Sequence, residues 1–194
     1  LNCLKGKNKI FLKNSTIKLS NLLISKKFNN LIFLNYSPRL EKALFWCQQL
    51  IAESLGKKNK GFLPVISNAP KDHHSLLQLY LDGPKDKLFN IFNFESNLKE
   101  KIIINKNFKV SSFLNNKKLS TVKNAQNQAL IKAFINKKIP FREFKIKKIN
   151  EETLGELLSF FIFETVIIAK LINTNPFDQP AVEQVKKFTK EILT

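Results

Sequence analysis

The stretch CQQLIAESLGKK, residues 47–58, sets one carboxylate, Glu53, in the last turn of an apolar helical run, one turn after Gln49. The negative end of a helix dipole disfavours an ionised carboxylate, so a glutamate placed there is a stronger base. The same residue also fits a solvated surface position. A second group lies in APKDHHSLLQLYLDG, residues 69–83. Here Asp72 is a candidate N-cap, which puts His73 and His74 in the first turn of a helix. Neighbouring histidines point about 100° apart on a helix, so they make poor joint metal ligands. His74 shares a face with Gln78, and a helix N-terminus disfavours imidazolium, which helps keep His74 neutral and able to trade protons near pH 7. Capping or packing is its competing role. The third group is NPFDQPAVEQVKKF, residues 175–188, where Asp178 or Gln179 can cap a helix that has Pro180 in its first turn. Gln179 and Lys186 then lie two turns apart on one side, although Lys186 alone fits a solvated lysine as well.

Other chemistries lack their signatures. The chain has no GxGxxG or Walker loop, no HExxH and no GxSxG elbow. Paired acids of the glycosidase kind are not evident. Cys3 and Cys47 form neither a CxxC pair nor a disulfide framework, which suits a reducing cytoplasm. No metal spacing is present, and none is expected. The formal charge of +18 invites a nucleic-acid partner, but only two arginines, Arg39 and Arg142, are available to fork onto phosphates or guanine edges. The lysines scatter among abundant Asn, Ile and Phe, so no nucleic-acid partner is expected. Such a field still attracts small anions. The most apolar run, residues 157–172, is interrupted by Glu164 and Lys170 and is too short for a membrane span. It reads as a buried helix, and no membrane association is expected.

At 194 residues the chain is long enough for one well-buried core. Residues 1–28 are lysine-rich without an acidic residue and are set apart as the remnant of a preceding region, leaving 29–194 as the domain. Strands are expected at 30–38, 62–67, 87–94 and 141–149, with KIIIN at 101–105 as a further short one. Helices are expected at 38–55, 73–81, 120–138, 151–173 and 180–193. Leu40, Ala43, Leu44, Cys47, Leu50 and Ile51 make one apolar stripe on the first of these helices, with Trp46, Gln49 and Glu53 on the other side. Val182, Val185, Phe188 and Ile192 are expected to face the core from the last. Alternating strands and helices imply an α/β fold, a mainly parallel sheet covered by helices on both faces.

The three chemical segments, in this order and spacing, resemble the C-terminal part of the glucose-6-phosphate isomerase (phosphoglucose isomerase) family, bacterial type. WCQQLIAESLGK is similar to its QQ/QL…ESxGK segment, DHHSLLQLYLDGPKD to its (D)xHSxxQLxxxGP segment, and NPFDQPAVEQVK to its FDQxGVExxK signature. LGELLSFFIFE, residues 154–164, is similar to the helix leading into that signature. The resemblance covers most of residues 30–194. It implies a three-layer α/β/α sugar-isomerase (SIS) subdomain with C-terminal helices, and an aldose-ketose isomerase of sugar phosphates working through a cis-enediol(ate) without metal or organic cofactor.

By position, the resemblance further implies that Glu53 moves the proton between C1 and C2, and that His74, not His73, helps to open the sugar ring. Lys186 would lie near the ring and C1 oxygens, with Gln49 and Gln179 lining the same pocket. It implies a cytoplasmic homodimer in which His74 reaches the neighbouring subunit's pocket. Ala181 stands where the signature usually has glycine. The family's phosphate-gripping Ser/Thr cluster and arginine belong to an upstream domain, so residues 1–194 by themselves are expected to be inactive. The alternative is a non-catalytic sugar-phosphate-binding SIS module; retention of Glu53, His74 and Lys186 together argues against it.

Overall fold

The computed structural model describes residues 4–94, 103–104 and 112–194. Its elements run α1 (Gly6–Ile24), β1 (Asn30–Asn35), α2 (Glu41–Leu55), β2 (Leu63–Asn68), α3 (Leu77–Asp82), β3 (Lys87–Phe94), α4 (Leu119–Asn136), β4 (Phe141–Ile146), α5 (Glu151–Leu171) and α6 (Pro180–Leu193). The four strands form one parallel sheet in the order β2-β1-β3-β4. Right-handed crossovers explain which helix covers which face. The chain steps one way from β1 to β2 through α2, then turns back across β1 through α3 and α4, so these two helices lie on the opposite face.

Side-chain alternation along β1 builds both halves of the core. Leu31 and Phe33 pack with Leu44, Cys47 and Ile51 of α2, with Leu12 and Leu19 of α1, and with Phe161 and Ile168 of α5. Ile32 and Leu34 pack the other way with Tyr80 of α3 and with Leu130 and Phe134 of α4. A strand buried on both faces must read as a continuous apolar run, as residues 31–34 do. The apolar stripe of α2 is buried as its spacing predicts, and desolvation there pushes the Cys47 thiol up to about 12. The helix stops at Gly56, whose φ of −76° is ordinary. Glycine is required there by crowding, since a Cβ would come within 2.5 Å of the Ala52 carbonyl oxygen.

Four expectations change. Composition sets residues 1–28 apart from the domain, yet α1 buries Leu12, Leu19 and Leu23 in the same core as α2 and α5. The expected helix at 73–81 is instead a 3₁₀ turn at Lys71–His73 followed by the short α3. Asp72 does not cap it: its Oδ2 accepts from the Asn68 backbone N–H at 2.7 Å and from the Ser67 hydroxyl at 3.0 Å, fastening the turn to the end of β2. On α6, Val182, Val185, Phe188 and Ile192 are all exposed, and this helix buries nothing. Strands β1 and β4 end at Asn35 and Ile146 rather than at 38 and 149. The short strand expected at 101–105 lies mostly outside the described residues; Ile103 makes one antiparallel bridge to Lys118.

The interruption of the apolar run of α5 has a structural partner. Glu164 is 2% exposed, and its Oε1 accepts from Arg142 Nη1 of β4 at 2.6 Å and from the Ser15 hydroxyl of α1 at 2.7 Å. Arg142 Nη1 also contacts the Ser15 hydroxyl, and its Nε donates to Asn90 Oδ1 of β3 at 2.9 Å. A charge cannot stand alone in such a core, so α1, β3, β4 and α5 are tied through one buried pair.

Candidate active site

Helix α2 starts beyond the C-terminal end of β1 and finishes where β2 begins, so Glu53 sits at the N-terminal edge of the sheet. Its side chain is half-buried, and both carboxylate oxygens are engaged. Gln49, one turn earlier, donates from Nε2 to Oε1 at 3.0 Å. Gln179, which immediately precedes α6, donates from Nε2 to Oε2 at 2.7 Å. Two amides from different elements fix the plane of the carboxylate, which a base needs if it is to meet a proton at a set position. Beside it opens a cleft of about 690 Å³, lined by Glu53, Lys57, Lys60, Asn175, Asp178 and Gln179 among others. The cleft is roomy enough for a sugar phosphate and has polar groups concentrated around one carboxylate.

Of the residues singled out from sequence, Glu53, Gln49 and Gln179 come together. His74 and Lys186 lie apart from them. His74 follows the C-terminal end of β2, across the sheet from Glu53, and is exposed. A six-residue strand is roughly 20 Å long, so the two edges are that far apart. Lys186 is seven residues beyond Gln179, about 10 Å along α6, and its Nζ pairs with Glu183 of the same helix at 2.7 Å. No group of three His, Cys, Asp or Glu able to hold a metal occurs among the described residues. Nor is any helix among them long and apolar enough to cross a membrane.

The histidine with the defined environment is His73. Its Nε2 lies 2.8 Å from the hydroxyl of Tyr36, a fully buried side chain just beyond β1. Burial raises the Tyr36 phenol well above its ordinary value, which keeps its proton available to a neutral imidazole. Burial also lowers the His73 value below 6.5, with the Asp72 charge opposing in part. The folded state therefore resists protonation more than the unfolded chain does. This contribution to stability is complete above pH 6.5 and is lost as the pH falls from there through the lower folded value. A thermal midpoint that drops on acidification below that pH, and drops less in His73→Gln, is the expected result; equal drops would exclude His73 as a source. No local pattern could have shown this contact, because the partners are 37 residues apart.

These features define a class: an α/β domain with a parallel four-stranded sheet covered by helices on both faces, and a carboxylate held at the edge of a cleft. No protein-family profile matches the chain. It is 36% identical over 168 residues to glucose-6-phosphate isomerase of Mycoplasmopsis synoviae (strain 53), covering 84% of this chain and 38% of that protein. It is 34% identical over 166 residues to a probable glucose-6-phosphate isomerase of Methanococcus maripaludis, covering 84% and 36%. The crystal structure of a hypothetical protein from Thermus thermophilus superposes with a TM-score of 0.88 at 26% identity, over all of this chain and 47% of that one. A glucose-6-phosphate isomerase from Chlamydia trachomatis shares the fold, with a TM-score of 0.68 at 18% identity over 85% of this chain and 34% of that one. Over this length the chain belongs to the glucose-6-phosphate isomerase family and corresponds to its C-terminal part. It spans only about two fifths of the length of these curated relatives.

Proposed function

We propose that the complete protein interconverts glucose 6-phosphate and fructose 6-phosphate in the cytoplasm, without metal or organic cofactor. The observation that carries this reading is the Glu53 carboxylate, held by Gln49 and Gln179 at a cleft. In the open-chain aldose, Glu53 takes the proton from C2 while the carbonyl electron pair moves onto O1, giving the cis-enediol(ate); over the two steps O1 gains the proton that the C2 hydroxyl gives up. The same group returns the proton to C1 as the C2 carbonyl forms. One base serves both steps because the two carbons are adjacent.

His74 is assigned to ring opening, where a proton must leave O1 and another must reach the ring oxygen. Its position across the sheet from Glu53 excludes it from its own chain's cleft and favours a homodimer in which each His74 serves the other copy. The role of Lys186 at the ring and C1 oxygens rests on the family resemblance.

The phosphate grip is expected outside this segment. Thr174 supplies the only hydroxyl among the described residues lining the cleft, and no arginine lines it. Holding the phosphate is what orients C1 and C2 beside the base, and orientation of this kind accounts for about 7–11 kcal/mol of barrier. Residues 1–194 assayed with fructose 6-phosphate are therefore expected to stay at background, and the complete protein to turn it over. Activity of the segment alone near that of the complete protein would place the phosphate site within it. Sugar-phosphate binding without turnover by the complete protein would overturn the isomerase reading in favour of a non-catalytic module.

A further inference from the structure

The N-terminus of α6 reaches Glu53 although α6 itself buries no residue. Something other than its own packing must hold Gln179 on the carboxylate. The loop between α2 and β2 supplies it. Lys57, whose side chain is 11% exposed, directs its Nζ to the backbone oxygen of Asn175 at 2.5 Å and to Asp178 Oδ1 at 3.0 Å. Lys60 Nζ reaches the backbone oxygen of Ile172 at 2.6 Å. The Ile172 carbonyl caps α5 at the negative end of that helix, so the Lys60 ammonium suits it. Positive φ values at Lys58 (53°), Asn59 (57°) and Gly61 (115°) show a tightly coiled loop between and beside the two lysines.

We propose that Lys57 is a positioning residue for the Glu53 site, acting through the segment 175–179 and the amide of Gln179. A closed circuit results. Glu53 is joined to Lys57 through four peptide bonds, Lys57 to Asp178 through the ion pair, and Asp178 to Gln179 through one peptide bond. Gln179 returns to Glu53 through its 2.7 Å hydrogen bond. Lys57 also holds Asp178 ionised, pulling its carboxyl below the ordinary value by hydrogen bonding and charge. An ion pair with one half-exposed partner contributes little stability. What this one supplies is geometry: together with the bond from Lys57 to the Asn175 carbonyl, it holds the segment that carries Gln179 against the loop after α2.

The catalytic part of this inference rests on the isomerase reading; the clamp does not. The test uses the complete protein, labelled with nitrogen-15 at its glutamine side-chain amides, with the Gln179 signal identified by its loss in Gln179→Leu. Lys57→Met is expected to move that signal towards its free-amide position, whereas Lys57→Arg, which keeps charge and reach, retains it. Asp178→Asn, altered at a half-exposed side chain, weakens the same tie with less risk to folding. In turnover, Lys57→Met is expected to lower kcat roughly ten- to a hundredfold, the scale of a misplaced reacting group. It should add no further loss in the Gln179→Leu background, because both changes break one circuit. An unmoved Gln179 signal in folded Lys57→Met, or losses that multiply in the double variant, would overturn the clamp. A wild-type protein without isomerase activity would instead overturn the functional reading, and the amide signal would still decide the clamp.

Discussion

Glu53→Gln in the complete protein is expected to lower kcat for fructose 6-phosphate by roughly 10²- to 10⁴-fold, the usual contribution of a general base, with KM nearly unchanged. Glutamine keeps the length and planarity of glutamate but offers no site that can take the C2 proton. The neighbours refine this expectation. Each carboxylate oxygen accepts from an amide, Oε1 from Gln49 and Oε2 from Gln179. The new side-chain NH₂ would face one of these donors, and the conflict is relieved when that glutamine amide flips to present its oxygen. The pocket can therefore keep its shape while losing its base. Steady-state kinetics of the purified variant check this: more than about half of wild-type kcat would remove Glu53 from the chemistry. A large rise in KM with kcat preserved would make it a binding group only.

The second large effect concerns stability. Arg142→Met is expected to cost about 3–5 kcal/mol, because it leaves the Glu164 carboxylate buried without its cation. Glu164 is 2% exposed and, among the described residues, retains only the Ser15 hydroxyl as a side-chain donor. The double variant Arg142→Met with Glu164→Leu removes both charges and is expected to recover most of that loss, since apolar groups of similar volume replace a pair whose desolvation nearly cancels its attraction. Urea unfolding of the two variants measures the difference. Equal destabilisation of the single and double variants would mean that volume, not charge, governs this part of the core.

Much of the architecture was legible in the residues themselves. The unbroken apolar runs at 31–34 and 88–92, relieved only by Asn90, announce strands covered on both faces. The stripe from Leu40 to Ile51 announces the buried side of α2, and by elimination the side on which Gln49 and Glu53 stand. At the start of α5 the structure adds a cap that the expected helix did not name, Asn150 accepting from the Thr153 N–H. These are short-range properties, set by backbone periodicity and local hydrogen bonding. The order of the three chemical segments added the family.

Tertiary structure decided what depends on partners distant in sequence. Glu53 and Gln179 are 126 residues apart, Ser15 and Glu164 are 149 apart, and no local spacing records either contact. Asp72 carries the right side chain for a helix cap, but the end of β2 offers its backbone N–H and the Ser67 hydroxyl, so the expected helix shrinks to α3. The stripe Val182, Val185, Phe188 and Ile192 shows that α6 has an apolar face, whereas the structure leaves that face exposed. Periodicity states which side of a helix avoids water; only the packing of the whole body decides whether another surface meets it. Among the described residues, the charged ties of Lys57 and the amide of Gln179 therefore place the start of α6 beside Glu53, because hydrophobic burial does not.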